Sequence, residues 1–439
     1  MSKKITIYNQ IKEFNKKILV SGDKSISIRW VLLSSLANGS STAFNLLMSE
    51  DVLAAISAIK KLGIKVKIFK NRCIVYGKGI NGYNYKKNLI INAQNSGTLG
   101  RLILGLLINT PYVIKLIGDK SLSKRDFSRV AEPLRKFGAK INLRRDKTLP
   151  LTIKGLQNPM PTKYHEKKGS AQCKSAIILA GLRTEGKTLI KAKKSRNHTE
   201  LFAKQLNLPV KVTQMKNYDF IEVSKAKKIK TSIYNIPSDI SSSAFFIVLT
   251  ALKKKSKLLI KNVNINPSRI GVIKILKMMG VNITYKNKKI YNGELVADLF
   301  IKSAKKLKSI NCPQYLNSGA IDEFLLIFLV AAKAKGISTF KNLSELNEKE
   351  SPRLNWGAKI LNKMGIKTII TKDSIKIYGN PNIIVSKKII IKDFLKDHRV
   401  FMTSVIAALS FGGYWKIYDS DSIKTSFPSF MGIINGLKK

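Results

Sequence analysis

The sequence predicts an α/β protein of two domains, each made of three copies of one unit. Three observations carry this. A helix followed by glycine (once asparagine) and a strand recurs six times along the chain. A second, more apolar type of helix alternates with the first. A lysine-rich stretch, "KAKKIKTSIYNI" over Lys225 to Ile236, separates the third copy from the fourth.

The first series reads "AAISAIKKLGIKVKI" to Ile68, "RVAEPLRKFGAKINL" to Leu143, "TELFAKQLNLPVKV" to Val212, "GVIKILKMMGVNITY" to Tyr285 and "GAKILNKMGIKTII" to Ile370, with "FMGIINGLKK" closing the chain. The spacing is roughly 70 to 85 residues, within reach of one supersecondary unit plus loops. Each copy has apolar residues at helical spacing and a Gly or Asn where a C-cap belongs. Strand-like alternation follows, as expected after a left-handed cap. Asn207 takes the glycine's place in the third copy.

The second series is "RWVLLSSLANGSSTAF", "LGRLILGLLINTPYVI", "KSAIILAGLRTEGKTLI", "SSSAFFIVLTALKKKSKLLI", "DEFLLIFLVAAKAKGISTF" and "HRVFMTSVIAALSFGGYWKI". These helices are apolar nearly all round and must be buried. One unit is therefore strand, buried helix, strand, amphipathic helix, strand. Such units cannot bury their apolar faces alone and must pack on neighbours. Domains over residues 20–235 and over 1–19 with 236–439 follow.

Composition removes several function classes. Hydrophobic residues make up 44% of 439, enough for real cores. The start, "MSKKITIYNQIKEFNKK", lacks the apolar region of a secretory signal. The longest apolar run, Phe324 to Ala332, is too short to span a bilayer. A cytoplasmic protein with no membrane partner is expected. The net charge of +54 invites nucleic acid as a partner. Lysine is spread along the whole chain, however, with no basic block and no interleaved aromatics, so it reads as the default surface residue and no nucleic-acid partner is expected. A diffuse positive field still draws in small anions. Cys73, Cys173 and Cys312 are scattered, as are His165, His198 and His398, which leaves no metal-ligand spacing.

Polar clusters open the helices of both series. In "SGDKSISIRW", Ser25 or Ser27 is a candidate N-cap, yet Lys24 and Arg29 are the wrong charge for a helix N-terminus. Helix N-termini carry free N–H groups and positive potential. With Lys24, Arg29, Arg101, Arg125, Arg196, Arg353 and Arg399 they make a converging anion site. Two such surfaces facing across a cleft would hold a multiply anionic ligand. Asp322 and Glu350 are carboxylates among these cations, and so candidates for proton transfer.

The segments "SGDKSISIR", "NSGTLGR", "GDKSLSKRDFSRVAEPLRKFGA", "SAQCKSAIILAGL", "SRNHTE", "IDEF", "EKESPR", "DHR" and "TSFPSF" together resemble the 5-enolpyruvylshikimate-3-phosphate synthase family, in its order and spacing over nearly the whole chain. The resemblance implies an inside-out α/β barrel architecture of six βαβαββ repeats, three per domain, with the site in the interdomain cleft. It places the strand from about Lys4 to Leu19 in the C-terminal domain. It implies a monomer that needs no cofactor and transfers enolpyruvyl from phosphoenolpyruvate to the 5-hydroxyl of shikimate 3-phosphate, releasing phosphate. By this resemblance Lys24, Ser25, Arg29, Ser170, Ala171, Gln172, Arg196, Asp322 and Lys349 hold shikimate 3-phosphate. Lys24, Asn95, Gly97, Arg125, Gln172, Arg353, Arg399 and Lys424 hold phosphoenolpyruvate. Asp322 takes the proton of the attacking hydroxyl, Glu350 handles the methylene proton, and Lys24 is a further proton donor.

Each assignment has a plainer reading. Ser170 and Asp322 are good caps by type, Glu350 could serve a helix dipole, and Arg399 could be a surface ion pair. His398 is read as structural and Cys173 as a small buried residue. Ile28, Asn347, Glu348 and Pro352 depart from the family's pattern, and Thr425 stands where many members carry lysine, which leaves Lys424 beside the expected position. Gly97 marks where glyphosate competes with phosphoenolpyruvate in the family, and glycine there goes with sensitivity. The runner-up is the UDP-N-acetylglucosamine enolpyruvyl transferase reaction, which shares the donor. Its reactive loop cysteine has no counterpart here. An inactive binding protein of the same fold is the other alternative.

Overall fold

The computed structural model describes residues 3–438. Met1, Ser2 and Lys439, at the ends of the expected second domain, lie outside the described residues. The chain forms two compact units. The N-terminal unit is Gly22–Ile236 with Ile290–Glu294; the C-terminal unit takes the chain up to Ser21, Pro237–Lys289, and from Leu295 on.

The N-terminal unit contains helices α1 (Lys24–Ser35), α2 (Glu50–Lys61), α3 (Gly97–Leu106), α4 (Ser128–Arg135), α5 (Ala171–Gly181) and α6 (His198–Gln205). Its three sheets share one order: Ile90–Asn92, Ile114–Ile117, Thr148–Lys154, Lys140–Arg144 in one; Lys163–Glu166, Lys187–Lys193, Tyr218–Ser224, Val210–Gln214 in the next; Ile233–Asn235, Asn38–Phe44, Arg72–Lys78, Lys65–Ile68 in the third. In each, the first pair is parallel and the others antiparallel. The repeat read from sequence is thus a repeat in space. The third sheet takes its parallel strand from the end of the unit, which closes the set.

The apolar helices α1, α3 and α5 pack together in the core, as their all-round hydrophobicity requires. Gly105 permits the closest approach, because a Cβ there would fall 2.2 Å from the Ala176 carbonyl oxygen on α5. The amphipathic helices end where the pattern places them. Gly63, Gly138 and Asn207 all adopt positive φ, and Gly280 and Gly365 do the same in the C-terminal unit.

The C-terminal unit contains α7 (Ile240–Leu252), α8 (Gly271–Met278), α9 (Asn317–Ala320), α10 (Phe324–Lys333), α11 (Arg353–Met364), α12 (His398–Phe411) and α13 (Phe430–Lys438). The start of the chain supplies two of its strands. Asn15–Leu19 pairs in parallel with Lys257–Asn264, and Ile5–Ile7 runs antiparallel to Tyr414–Ile417. A third sheet joins Gly336–Phe340, Ile375–Gly379 and Thr368–Ile370. Its parallel neighbour is reduced to isolated bridges, Lys308 with Lys335 and Asn311 with Thr339. The apolar helices α7, α10 and α12 form the core, with Phe324, Phe328 and Phe340 in mutual ring contact.

Two local expectations are corrected. The N-cap of α1 is Asp23, whose carboxylate accepts from Ile26 N–H at 3.0 Å; Ser25 and Ser27 lie inside the helix. Ser27 instead accepts from Leu47 N–H at 3.2 Å. Asp is as good a cap as Ser, and it sits directly before the helix, in extended backbone. The glycine of the last repeat, Gly436, lies within α13 rather than capping it. No helix among the described residues is long and apolar enough to cross a membrane.

Candidate active site

In the N-terminal unit the expected ligands gather at the starts of the three core helices. Lys24 opens α1, and its ammonium donates to Asp51 of α2 at 2.8 Å. Gly97 opens α3 behind the N-cap Ser96, and Ala171 opens α5 behind Ser170, whose hydroxyl accepts from Cys173 N–H at 3.2 Å. The Gln172 side chain ties α5 to α3. Its oxygen accepts from Arg101 at 2.9 Å and its nitrogen donates to Thr98 at 3.0 Å. Asn95 donates to Asp119 at 2.7 Å. Arg29, 4% exposed, donates from Nε to Thr199 at 2.8 Å and from its terminal nitrogens to Ser175 and to the Ser25 carbonyl, each at 3.0 Å.

Three arginines crowd together on this surface. Burial, with Arg125 and then Arg129 close by, lowers the Arg101 guanidinium to about 9. An arginine is driven that far only where cations crowd together in poor contact with water. Arg101 cannot turn away: it also donates to the Asp126 carbonyl at 2.9 Å and lies over the Phe127 ring, 4.8 Å from its centroid. A Cβ at Gly97 would stand 2.8 Å from Arg101 Nη1 and 2.9 Å from Arg125 Nη1. The glycine therefore leaves open the space at the head of α3, between helix N–H groups and two guanidiniums.

In the C-terminal unit the remaining residues converge on Arg353, at the first position of α11 and 2% exposed. Its Nε donates to Asp397 at 2.8 Å and Nη2 reaches the other Asp397 oxygen at 3.2 Å. Nη2 also donates to Glu350, and Nη1 lies 3.4 Å from Asp322. Burial opposes the Arg353 charge, but Asp397, Glu350 and Asp322 outweigh it and hold the guanidinium above its ordinary range. Burial likewise opposes the Asp397 charge, and Arg353 overcomes that and holds the carboxyl below its ordinary value. Lys349 stands 3.7 Å from Asp322, and Arg399 donates to the Asp322 carbonyl at 2.7 Å. Five of the expected residues thus form one cluster: Asp322, Lys349, Glu350, Arg353 and Arg399.

Lys424 is exposed, and no hydrogen bond or ion pair among the described residues ties it to that cluster. Its neighbour Thr425 meets His398 at 3.2 Å. The departures at Asn347 and Pro352 turn out to be local to the start of α11. Pro352 occupies the N-cap, and the side-chain oxygen Oδ1 of Asn347 accepts from Leu354 N–H at 3.1 Å, supplying the cap that proline has no side chain to make. Ile28 is fully buried in the core of its unit. The buried thiol of Cys173 is pushed up to about 12 by desolvation and donates to the Arg129 carbonyl, which makes it a structural group. No three His, Cys, Asp or Glu side chains among the described residues gather as a metal site needs.

Sequence reasoning missed the counter-ions. Asp51 and Asp397 were visible inside "SED" and "DHR", but nothing in the order of residues says that one holds Lys24 and the other Arg353. Asp397 carried a signal, an acid beside His398 and Arg399; Asp51, at a helix start that holds only acids, carried none.

The family model described as EPSP synthase (3-phosphoshikimate 1-carboxyvinyltransferase) matches residues 8–434. The chain belongs to the EPSP synthase family. It is 41% identical to the 3-phosphoshikimate 1-carboxyvinyltransferase of Ruthia magnifica subsp. Calyptogena magnifica, over 95% of this chain and 94% of that protein. The enzyme of that name from Bacillus cytotoxicus is 36% identical, over 95% and 97%. The EPSP synthase of Acinetobacter baumannii superposes with a TM-score of 0.87 at 34% identity, covering 99% of this chain and 98% of that one. The enolpyruvyl transferase NikO from Streptomyces tendae, at 13% identity and a TM-score of 0.78, shares the fold. The reaction of the family is enolpyruvyl transfer from phosphoenolpyruvate to shikimate 3-phosphate, in the shikimate pathway. The UDP-N-acetylglucosamine alternative is not favoured.

Proposed function

We propose that this chain carries out that transfer by addition and elimination, with Asp322 and Glu350 moving the protons. Asp322 accepts the proton of the 5-hydroxyl as its oxygen bonds to the substituted vinyl carbon. Glu350 gives a proton to the methylene carbon, which becomes a methyl group. In the second half Glu350 takes a proton back from that methyl, the double bond re-forms, and the carbon–oxygen bond to phosphate breaks. Glu350 ends as it began; the hydroxyl proton left on Asp322 is matched by the one Lys24 gives the departing phosphate, and exchange with solvent resets the two; no external reductant or oxidant enters.

The observation that carries this reading is the double attachment of Arg353. It is buried, locked to Asp397, and holds both Glu350 and Asp322. One rigid cation therefore sets two carboxylates at one place, as paired proton transfer requires. Lys24, Ser25, Arg29, Ser170, Ala171, Gln172, Arg196, Asp322 and Lys349 serve the acceptor. Lys24, Asn95, Gly97, Arg125, Gln172, Arg353 and Arg399 serve the donor, and Lys24 protonates the departing phosphate. Arginine forks match carboxylate and phosphate oxygens in pairs, and the crowding of Arg101, Arg125 and Arg129 favours a dianion. Lys424 keeps only its place beside Thr425 as support.

The test is solvent exchange at the methylene. In heavy water the wild type should wash deuterium into that carbon during turnover. Glu350→Gln should lose turnover by about 10² to 10⁴-fold and the wash-in with it. Wash-in at the wild-type rate in Glu350→Gln would assign the proton to another group. We further take the protein to act as a cytoplasmic monomer, consistent with three free, buried cysteines; sedimentation at working concentration tests the monomer.

A further inference from the structure

We propose that Thr199 and Ser175 are positioning residues that fix the guanidinium plane of Arg29 for the anionic acceptor. The inference rests on the reading of Arg29 as a ligand of shikimate 3-phosphate, and neither hydroxyl has been assigned a part in it.

Arg29 is attached along one edge. Nε donates to the Thr199 hydroxyl at 2.8 Å and Nη2 to the Ser175 hydroxyl at 3.0 Å. The two hydroxyls are 2.7 Å apart, so one donates to the other and the three groups close a triangle. On the other side Nη1 donates to the Ser25 carbonyl at 3.0 Å. All of it is buried: Arg29 is 4% exposed, Thr199 2% and Ser175 0%. A guanidinium is a rigid planar fork, so two bonds on one edge and a third beyond it fix both its position and its roll.

The chemistry of the three acceptors separates this arginine from Arg353. Arg353 is held by three carboxylates, that is, by ion pairs. These contacts to Arg29 come from two hydroxyls and a carbonyl. They set its orientation through neutral groups. Contacts from α1, α5 and α6 meet here, so the pose of Arg29 depends on the packing of three segments distant in sequence.

Thr199 is itself held on both sides. His198 Nδ1 lies 2.6 Å from Glu294, and Glu200 lies 2.6 Å from Lys174 Nζ, each pair nearly or fully buried. The start of α6 therefore cannot drift, and Arg196, two residues upstream of His198, leaves the same anchored turn.

The experiment compares wild type, Thr199→Val, Thr199→Ser and Ser175→Ala by steady-state kinetics with each substrate varied in turn, and by thermal melting. Wild-type turnover with shikimate 3-phosphate comes first; its absence would overturn the acceptor reading and this inference with it. Given turnover, Thr199→Val keeps the shape and removes the hydroxyl, and KM for shikimate 3-phosphate should rise about tenfold or more. Both kcat and KM for phosphoenolpyruvate should stay within about twofold, the scatter expected where no contact changes. Thr199→Ser should restore the wild-type KM, and Ser175→Ala should shift it in the same selective way. The inference is overturned by an unchanged acceptor KM in Thr199→Val. It is overturned equally by a rise in both KM values with a fall in kcat and melting temperature, which is a structural role only. Should Thr199→Val fail to fold, Ser175→Ala alone decides by the same two readouts.

Discussion

Replacing Gly97 by alanine isolates one steric contact. Gly97 is the first residue of α3 and its φ is not positive, so alanine fits the backbone and helix propensity favours it. The new Cβ meets only guanidinium atoms: Arg101 Nη1 at 2.8 Å, Arg125 Nη1 at 2.9 Å and Arg125 Cζ at 3.3 Å. Both guanidiniums lie under 3.0 Å, so both must retreat by several tenths of an ångström before ordinary contact is reached, Arg101 against its bonds to Gln172 and the Asp126 carbonyl and its contact with the Phe127 ring. A charge-assisted bond is worth about 1.5–3 kcal/mol, and a retreat of that size forfeits about half of it. KM for phosphoenolpyruvate should therefore rise about 5- to 10-fold. KM for shikimate 3-phosphate should hold, and the melting temperature should not fall. Phosphate release measured with each substrate varied provides the assay. An unchanged phosphoenolpyruvate KM would refute the reasoning that Gly97 keeps space for the donor, and an equal rise in both constants would refute its assignment to one substrate.

Three further outcomes are expected. Glyphosate should compete with phosphoenolpyruvate, and Gly97→Ala should weaken it; equal, weak inhibition of both proteins would remove that reading. Asp397→Asn breaks a buried pair and should lower stability at neutral pH by about 3 kcal/mol, read from denaturant midpoints. Because Arg353 holds the Asp397 carboxyl below its ordinary value, its share of stability is full above the unfolded carboxyl pKa of about 4 and is lost as pH falls through the lower folded value. The gap between wild type and Asp397→Asn should accordingly narrow in acid; a gap that widened would contradict the pairing. Gly105→Ala would drive a Cβ to 2.2 Å from the Ala176 carbonyl and should cost about 1–3 kcal/mol; a wild-type melting curve would show that α3 and α5 can separate freely.

The repeat was legible because it is written in two periodicities at once. All-round apolar helices must be buried and amphipathic ones must not, and Gly or Asn at positive φ punctuates each copy. Asn207 behaving as its glycine counterparts do shows that the pattern lay in backbone conformation rather than residue identity. What sequence order could not supply was pairing at a distance. The Arg353–Asp397 bond joins residues 44 apart and the Arg29–Thr199 bond residues 170 apart, and only packing decides such partners. The tip Ile290–Glu294 is a further case: it joins the strands Asn282–Tyr291 and Glu294–Lys302, otherwise part of one unit, yet groups with the other, and no local signal marks it. The cap of α1 was misplaced for a different reason. Asp23, Ser25 and Ser27 are equivalent by type, and only the backbone shows which precedes the first turn.

The central claim is that this chain joins phosphoenolpyruvate to shikimate 3-phosphate through Asp322 and Glu350. Phosphate release from the purified chain tests it most directly, with shikimate 3-phosphate and UDP-N-acetylglucosamine offered side by side as acceptors, and with Asp322→Ala and Glu350→Ala as controls. Release with shikimate 3-phosphate alone, lost in both variants, is the predicted result. Release only with the other acceptor, or none from folded wild-type protein, would contradict it.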